Sequence, residues 1–235
     1  MKAIIKKREL IARDTILVSL DLLGETVSFK PGQYLKLVLL NPPYSDDKGN
    51  SRTFSISSSP VQKNILEIAT RLSGSAFKKS LNEMPLGTPV EITNINGVFI
   101  LPQNSQVPIV MIAGGIGITP FRSMLKFYSE NHLDLKIFLL YSNRDRASAA
   151  FINELRQIEK DNPGFKLILT MTDDPAWSGE NRRIDSQFVK DYIKEWQDSL
   201  YFVAGPPVMV KAVYEELLKL AIKPENIKYE EFIGY

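Results

Sequence analysis

The stretch Ile109-Val110-Met111-Ile112-Ala113-Gly114-Gly115-Ile116-Gly117-Ile118-Thr119-Pro120 decides how the second half of the chain is interpreted. Its apolar start predicts a buried strand, its three glycines predict a tight turn, and Thr119 with Pro120 predicts the cap and first residue of a helix. Glycines let a backbone approach a ligand closely, and a helix start directs N–H groups and a positive dipole end at it. The stretch therefore indicates a site for a phosphate or pyrophosphate.

The same turn can also be interpreted without a ligand, as an ordinary tight connection from strand to helix. It lacks the Gly-Lys-Ser/Thr ending of a P-loop, which makes an ATPase a weak interpretation. Pro120 stands where the usual dinucleotide-binding fingerprint has its third glycine, so the match to that fingerprint is imperfect.

After Pro108 the chain alternates apolar strands with amphipathic helices. Phe121, Leu125 and Tyr128 are spaced i, i+4 and i+7 behind the glycine turn, as on the core-facing side of a helix. Such alternation predicts a doubly wound, mostly parallel sheet that binds ligands at the carboxyl ends of its strands. The other predicted strands are 136–140, 166–170, 200–204 and 227–232, and the other predicted helices cover 151–158 and 207–220.

Before residue 102 the pattern consists of short β-rich stretches separated by turn signals, with one candidate helix at 75–81. This pattern predicts a small antiparallel β-barrel. The predicted strands are 15–20, 34–40, 54–57, 65–70 and 89–93. We therefore expect two domains, 1–102 and 103–235, joined through the segment 101–108, which is rich in Pro, Gln and Asn.

Composition argues against several classes of function. The 29 basic and 27 acidic residues nearly cancel, so no overall charge draws the protein to nucleic acid or to an anionic membrane. The absence of cysteine excludes thiolate nucleophiles and iron–sulfur clusters held by these residues. The single histidine, His132, cannot form a histidine metal site alone, and the pairs Asp46-Asp47 and Asp173-Asp174 lie in turn-like sequence, so no metal site or hydrolase is predicted.

The sequence contains neither of the two usual membrane signals. Residues 1–10 are basic but are not followed by an apolar segment, so they do not resemble a signal peptide. No apolar run approaches the roughly 20 residues that span a bilayer. We expect a soluble, cytoplasmic protein without membrane insertion.

The segment Ser51-Arg52-Thr53-Phe54-Ser55-Ile56-Ser57-Ser58-Ser59-Pro60 resembles the flavin-binding motif of the ferredoxin-NADP reductase family. Three further segments resemble that family in the same order along the chain, and the likeness extends over nearly the whole sequence. They are its flavin-phosphate turn at 70–77, its nicotinamide-nucleotide loop at 114–120 and its nicotinamide-side turn at 204–210. The resemblance implies an FAD-binding β-barrel followed by an NAD(P)-binding α/β domain.

The resemblance implies roles for the flavin motif. Arg52 would contact the FAD diphosphate beside Thr53, Phe54 would pack against the isoalloxazine, and the Ser55 hydroxyl would lie near flavin N5, where hydride arrives. The purely structural alternative is a surface arginine on an ordinary barrel strand. The other residues implied at the flavin are Ser75, Ala76 and Phe77 at the diphosphate, Arg71 beside it, and Ile68, Ala69 and Thr70 along the flavin edge.

The resemblance also implies a nicotinamide nucleotide site in the second half. Arg144 with Arg182 or Arg183 would grip a 2'-phosphate, which favours NADPH modestly over NADH, whereas exposed loop arginines are usually only solvated. The remaining residues implied at this nucleotide are Gly114, Gly115, Gly117, Thr119, Pro120, Asn143, Gly205 and Pro206.

The C-terminal segment resembles family endings that shield the flavin with an aromatic residue. Phe232 is the first candidate for that shield and Tyr235 the second, while Glu230 would relay a proton or be only a solvated charge. Two positions depart from the family pattern. Phe54 replaces the usual tyrosine and Ala204 the usual cysteine, which affects rates more than the type of reaction, because hydride transfer needs neither group as a nucleophile.

These roles imply an enzyme that transfers hydride from NAD(P)H to FAD and then single electrons to a separate acceptor, such as ferredoxin, flavodoxin or a small molecule. Two alternatives stay open. One is a flavin or ferric reductase that uses flavin as a dissociable substrate, and the other is an electron-transfer subunit of a larger complex.

Overall fold

The structure is a computed structural model that describes residues 1–233, and the chain forms two units. The first unit contains Met1–Leu101 together with Thr119–Phe127. The second contains Pro102–Ile118 and the chain from Tyr128 onward.

The first unit is built on a six-stranded sheet with antiparallel pairing between neighbouring strands, in the order β4-β3-β6-β1-β2-β5. This confirms the predicted antiparallel architecture. Its elements are β1 (Lys2–Ala12), β2 (Thr15–Asp21), β3 (Tyr34–Leu39), β4 (Ser51–Ser55), β5 (Ile65–Arg71), α1 (Ala76–Glu83) and β6 (Pro89–Asn96).

The two end strands of this sheet approach each other just after β4, which gives the sheet its barrel-like form. Ile56 N–H still donates to Gln33 O at 2.9 Å beside β3, and Ser57 N–H donates to Glu67 O on β5 at 2.7 Å. Register shifts in β1, between Ile5 and Lys7 among others, bend the sheet in the way β-bulges do. The flavin-type motif of β4 therefore leads into the junction between the two end strands.

Strand β1 was missed by sequence reasoning because its alternation is broken. Ala3 and Ile5 are fully buried, as a period of two requires, but the bulge after Ile5 interrupts that period and the following residues are mostly charged. Helix α1 was placed closely. Its predicted start is confirmed by Ser75, whose side chain accepts the N–H of Lys78 as an N-cap.

The second unit contains five parallel strands in the order β11-β10-β7-β8-β9, which confirms the predicted doubly wound sheet. Because the chain runs from β7 to one side and later returns to the other, the switch point lies between β7 and β10. The elements of this unit are β7 (Ile109–Gly114), β8 (Ile137–Asn143), α3 (Ile152–Asp161), β9 (Phe165–Met171), α4 (Ser186–Tyr192), β10 (Leu200–Gly205), α5 (Pro207–Lys219) and β11 (Ile227–Glu231). Helix α2 (Ile118–Glu130) follows β7 in the chain, but its residues Thr119–Phe127 belong to the first unit.

Helix α2 begins earlier than predicted, so the expected cap at Thr119 is wrong. A short 3-10 turn at Gly115–Gly117 runs directly into the helix, and the N–H of Ile118 donates to the carbonyls of Gly115 and Ile116. Thr119 is consequently the second residue of the helix and is buried.

Within residues 1–233, no helix has both the length and the apolar character needed to cross a membrane.

Candidate functional site

Arg52 is held rigidly at the edge of the first unit. Its Nη1 donates to backbone carbonyls of the loop 48–51 at 2.7 to 2.9 Å, and its Nη2 lies 3.2 Å from Asp46 Oδ1. The guanidinium carbon also lies 5.2 Å from the centre of the Phe77 ring, in the first turn of α1. The structure therefore brings Arg52 to the helix start, as expected for two groups that would share one diphosphate.

The start of α1 is already arranged around a carboxylate. Asp46 Oδ2 accepts the N–H of Ala76 at 3.1 Å while its other oxygen contacts Arg52. An oxyanion at the first N–H groups of a helix is favoured by the free donors and by the dipole. These donors fit a phosphate oxygen equally well, which supports the cradle as a site for the FAD diphosphate.

Lys78 joins Arg52 and Arg71 in this region, and sequence reasoning missed it. Burial first, and then the charges of the two arginines, lower the pKa of Lys78 to about 8. A usable signal was present in the sequence: a lysine three residues after the cap Ser75 stands in the first turn of a helix, where the dipole disfavours a cation unless an anion is nearby.

Phe54 and Ser55 point to opposite sides of β4, because side chains alternate along a strand. Phe54 is 8% exposed and packs in the hydrophobic cluster of the barrel, with its ring centre 5.8 Å from that of Phe77. Ser55 is buried as well and pairs in register with Tyr34 of β3. The contact of Phe54 with isoalloxazine and the position of Ser55 at flavin N5 stay predictions.

The backbone of β5 presents hydrogen-bonding groups toward the β4 side. Glu67 uses its C=O for Ser57 N–H and its N–H for Ser58 Oγ, so this residue directs its backbone away from β2. Because directions alternate from residue to residue along a strand, Ala69, two positions after Glu67, directs its N–H and C=O to the same side as Glu67 does. Ile68, Ala69 and Thr70 themselves are buried, so any flavin contact along this edge would use backbone groups, as predicted.

A buried ion pair supports the segment that follows β4. Arg122 Nη1 lies 2.7 Å from Glu67 Oε2 and donates to Ser57 O at 3.1 Å, and both charged side chains are largely buried. Ser123 Oγ donates to Ser58 O at 2.6 Å from the same helix. These contacts fix the backbone directly after Ser55, a role that no sequence pattern indicated.

In the second unit, the glycines of the nucleotide turn pack against a second turn. A Cβ at Gly117 would lie 2.3 Å from Ala204 O, and one at Gly114 would lie 2.3 Å from Met209 Sδ. Gly115 differs, because its φ is +54° and no described atom would lie within 4 Å of its Cβ. Two of the glycines thus serve packing between turns, and Gly115 leaves room where a phosphate could approach.

Replacing Gly117 by alanine is expected to destabilise the apoprotein by about 1–3 kcal/mol, because the added methyl group meets a backbone carbonyl that cannot turn aside. Urea unfolding followed by circular dichroism measures this loss. Gly74→Ala is the matched control, since no described atom lies within 4 Å of its Cβ position, and we expect it to stay within about 0.5 kcal/mol. Equal losses in both variants would contradict the packing explanation.

Asn143 is the last residue of β8, whereas the sequence motif suggested a position after the strand. Its side-chain amide is buried and lacks hydrogen-bond partners within residues 1–233. The residue is 6% exposed, and neither Nδ2 nor Oδ1 of the side chain has a hydrogen-bond partner among the residues that the structure describes. A buried amide without partners costs free energy, which a ligand offering donors and acceptors would recover. Its place at a carboxyl strand end fits the ribose of a nucleotide.

The arginines predicted for a 2'-phosphate have different surroundings. Arg144 and Arg183 are exposed, whereas Arg182 donates to Glu180 at 2.7 Å and to Asp191 at 2.8 Å. Arg182 is the main reason why the pKa of Glu180 falls to about 2. The role of Arg144 with Arg182 or Arg183 at a 2'-phosphate stays a prediction, in which the two carboxylates already bound by Arg182 favour Arg183.

The acidic pairs do not assemble a metal site. Asp174 accepts from Arg146 Nε at 2.8 Å, and this guanidinium lowers the pKa of the Asp174 carboxyl. Among residues 1–233, no three histidine, cysteine, aspartate or glutamate side chains are grouped so as to hold a metal ion.

The C-terminal candidates lie beside β10. Glu230 pairs in register with Ala204, and Phe232 N–H donates to Gly205 O at 2.9 Å, so both residues lie close to the turn that also contains Pro206. Phe232 and Glu230 are partly buried. Tyr235, the second aromatic candidate, lies outside the described residues.

The geometry defines a class of protein. A barrel-like antiparallel sheet with a diphosphate-type cradle, joined in one chain to a parallel sheet with a dinucleotide-type turn, is the arrangement of a two-domain flavin oxidoreductase. A family model described as an oxidoreductase NAD-binding domain matches residues 111–215.

Two curated relatives have similar sequences. Flavohemoprotein A of Dictyostelium discoideum is 26% identical over 224 residues, which cover 87% of this chain and 53% of the relative. The reductase subunit of an aromatic O-demethylase from Amycolatopsis is 26% identical over 228 residues, which cover 94% of this chain and 66% of the relative. The chain thus spans about half to two thirds of the length of these proteins.

Solved structures share the fold. An Amycolatopsis cytochrome P450 reductase gives a TM-score of 0.83 at 26% identity and covers 99% of this chain and 70% of its own. The FAD/NAD-binding domain of a nitric oxide dioxygenase from Vibrio cholerae gives 0.87 at 20% identity, with 98% of each chain covered. A ferredoxin NADP+ reductase from Neisseria gonorrhoeae with bound FAD and NADP gives 0.80 at 20% identity, also with 98% of each chain covered.

Residues 111–215 match the oxidoreductase NAD-binding domain, and the chain is similar in sequence and fold to flavin oxidoreductases of the ferredoxin-NADP reductase type, in agreement with the resemblance of its motifs. FAD and NAD(P) are the cofactors of this fold, and the cradle at α1 and the unpartnered amide of Asn143 suit them.

Proposed function

We propose that this chain oxidises NAD(P)H with the help of FAD and delivers single electrons to a separate acceptor, with ferredoxin or flavodoxin as the leading protein partners and a small acceptor as the alternative. The observation that carries the proposal is the occurrence of two distinct nucleotide-type cradles in one chain. One is the arginine-lined start of α1, and the other is the glycine turn with the buried, unpartnered amide of Asn143.

FAD, when bound, accepts a hydride and returns its two electrons one at a time. The protein residues bind and orient the reactants. Arg52 and the N–H groups at the start of α1 would hold the diphosphate, and the buried Ser55 would offer its hydroxyl to the flavin edge. We assign Phe232, or Tyr235, to shielding the flavin and Glu230 to proton relay.

These 235 residues contain no cysteine that could hold an iron–sulfur cluster, so we place the one-electron acceptor outside them. The relatives named above include a subunit of a demethylase and a flavohemoprotein. They support a second candidate, in which this chain is the reductase component of a larger redox complex.

We propose the cytoplasm as the location of this protein.

The test is an absorbance spectrum of the purified protein, recorded without oxygen before and after addition of NADPH or NADH. We expect bands of bound FAD that bleach on addition of a reduced nucleotide, and reoxidation by ferricyanide. A protein that stays colourless, takes up no added FAD and ignores both nucleotides would contradict the proposal. Flavin lost on gel filtration would instead favour a reductase that uses flavin as a dissociable substrate.

Arg144→Ala is expected to raise the KM for NADPH by about tenfold and to leave the KM for NADH nearly unchanged, because an exposed arginine contributes a modest charge-assisted contact to a 2'-phosphate. Steady-state kinetics with ferricyanide measure both constants. Arg156→Ala, an exposed arginine on α3, is the matched control and should alter neither. Equal increases for the two nucleotides would remove the assigned role of Arg144.

A further inference from the structure

Lys78 is a buried lysine whose side chain turns back toward the start of its own helix. Only 8% of the residue is exposed. Its backbone N–H donates to Ser75 Oγ at 3.2 Å, and its Nζ donates to Ser73 Oγ at 3.1 Å in the turn before α1. The ammonium is therefore placed at the N-terminal end of α1, where the positive end of the helix dipole also lies.

Charged groups from three other elements surround this ammonium. Arg52 on β4 and Arg71 on β5 are near enough to disfavour its charge, and burial disfavours it further, so the pKa of Lys78 falls to about 8. Asp46 in the loop before β4 contacts Arg52 at 3.2 Å and Ala76 N–H at 3.1 Å. A grouping of cations around a helix start is unfavourable by itself and becomes favourable when a polyanion binds.

We propose that Lys78 is a further ligand of the FAD diphosphate and that, in alkaline solution, it takes up a proton from solvent as the diphosphate binds. The inference rests on FAD as the cofactor of the proposed function. The diphosphate oxygens would lie at the start of α1 among Arg52, Arg71 and Lys78, and their negative charge offsets the repulsion that the cations exert on one another. Lys78 thereby regains its full charge in the complex.

The direction in which pH changes the Kd for FAD follows from the coupling between FAD binding and the protonation of Lys78. Well below pH 8, Lys78 is almost fully protonated in the apoprotein, so FAD binding takes up almost no proton and the Kd is nearly constant. Above pH 8, binding must add a proton, and the Kd rises by up to about tenfold per pH unit. Removing the titrating amine abolishes this rise.

The experiment is a fluorescence titration of the apoprotein with FAD and with riboflavin, which lacks both phosphates, between pH 6.5 and 9. At pH 7, Lys78→Met is expected to bind FAD about 10- to 100-fold more weakly than wild type, with no rise above pH 8. Lys78→Arg should bind tightly with no rise, since arginine stays charged. Riboflavin affinity should be unchanged in both variants.

Lys79→Met is the matched control, because Lys79 is the exposed neighbour and lies over the Tyr44 ring. Thermal melts of each apoprotein verify folding. Wild-type affinity for FAD in Lys78→Met, or equal losses for FAD and riboflavin, would overturn the role of Lys78 and leave the proposed function intact. A wild-type protein that binds neither flavin would overturn the proposed function itself.

Discussion

Replacing Glu67 by alanine is expected to lower the free energy of unfolding by about 3–5 kcal/mol, because it breaks a buried ion pair. The carboxylate lies 2.7 Å from Arg122 Nη1, and the two side chains are 13% and 6% exposed. Without Glu67, Arg122 would remain as a buried charge that has lost its carboxylate. Urea unfolding of the apoprotein, followed by far-UV circular dichroism, measures the change.

A double replacement separates the contribution of the ion pair to stability from the contribution of side-chain packing. Glu67→Leu combined with Arg122→Leu removes both charges and should recover most of the stability, because an apolar pair often substitutes for a buried ion pair without loss. Lys6→Met is the control for a more exposed pair, since Lys6 and Asp21 are 2.8 Å apart with side chains 55% and 26% exposed, and we expect a loss of at most about 1 kcal/mol. A Glu67→Ala loss as small as this control would contradict the prediction.

Arg52→Ala is expected to raise the Kd for FAD by about 10- to 150-fold, because it removes charge-assisted hydrogen bonds to the diphosphate. The carbonyls of the loop 48–51 and the Phe77 ring hold this guanidinium in place, so little conformational freedom is lost when it binds. Equilibrium dialysis of the apoprotein with FAD measures the Kd.

The Arg52→Lys variant separates the contribution of the planar guanidinium to FAD affinity from the contribution of its positive charge. Lysine keeps the charge but loses the planar fork, so it should recover only part of the affinity. Arg156→Ala again serves as an exposed control on the other unit and should bind FAD normally. If Arg52→Ala retained wild-type affinity, the cradle at α1 would not be the diphosphate site.

The architecture could be predicted because both units follow simple periodicities. All six residues of β7 are buried, and a parallel strand covered on both faces must therefore be continuously apolar. Strand β1 could not be predicted in the same way, because a bulge after Ile5 breaks the alternation and the rest of the strand is charged. Helix α4, at Ser186–Tyr192, was missed because seven residues are too few to establish a helical period.

The candidate site was predictable where two motifs imply contact with the same ligand group. Arg52 and the start of α1 belong to separate motifs that both imply a diphosphate, and the structure brings them together. Contacts between segments far apart in the chain were not predictable. Arg122 reaches Glu67 across 55 positions, and the orphaned amide of Asn143 becomes visible only when the burial of its side chain is known.

The contact between the glycine turn and the turn at 204–209 also bears on protein engineering. A Cβ at Gly117 would meet the backbone carbonyl of Ala204, and one at Gly114 would meet the side chain of Met209, so the two turns pack directly against each other and a larger residue at Gly117 requires the backbone at Ala204 to shift. The exposed arginines 144 and 183, which we propose at a 2'-phosphate, are not among the atoms that these Cβ positions would meet, so they are the places where a change of coenzyme preference can be tested without repacking the two turns.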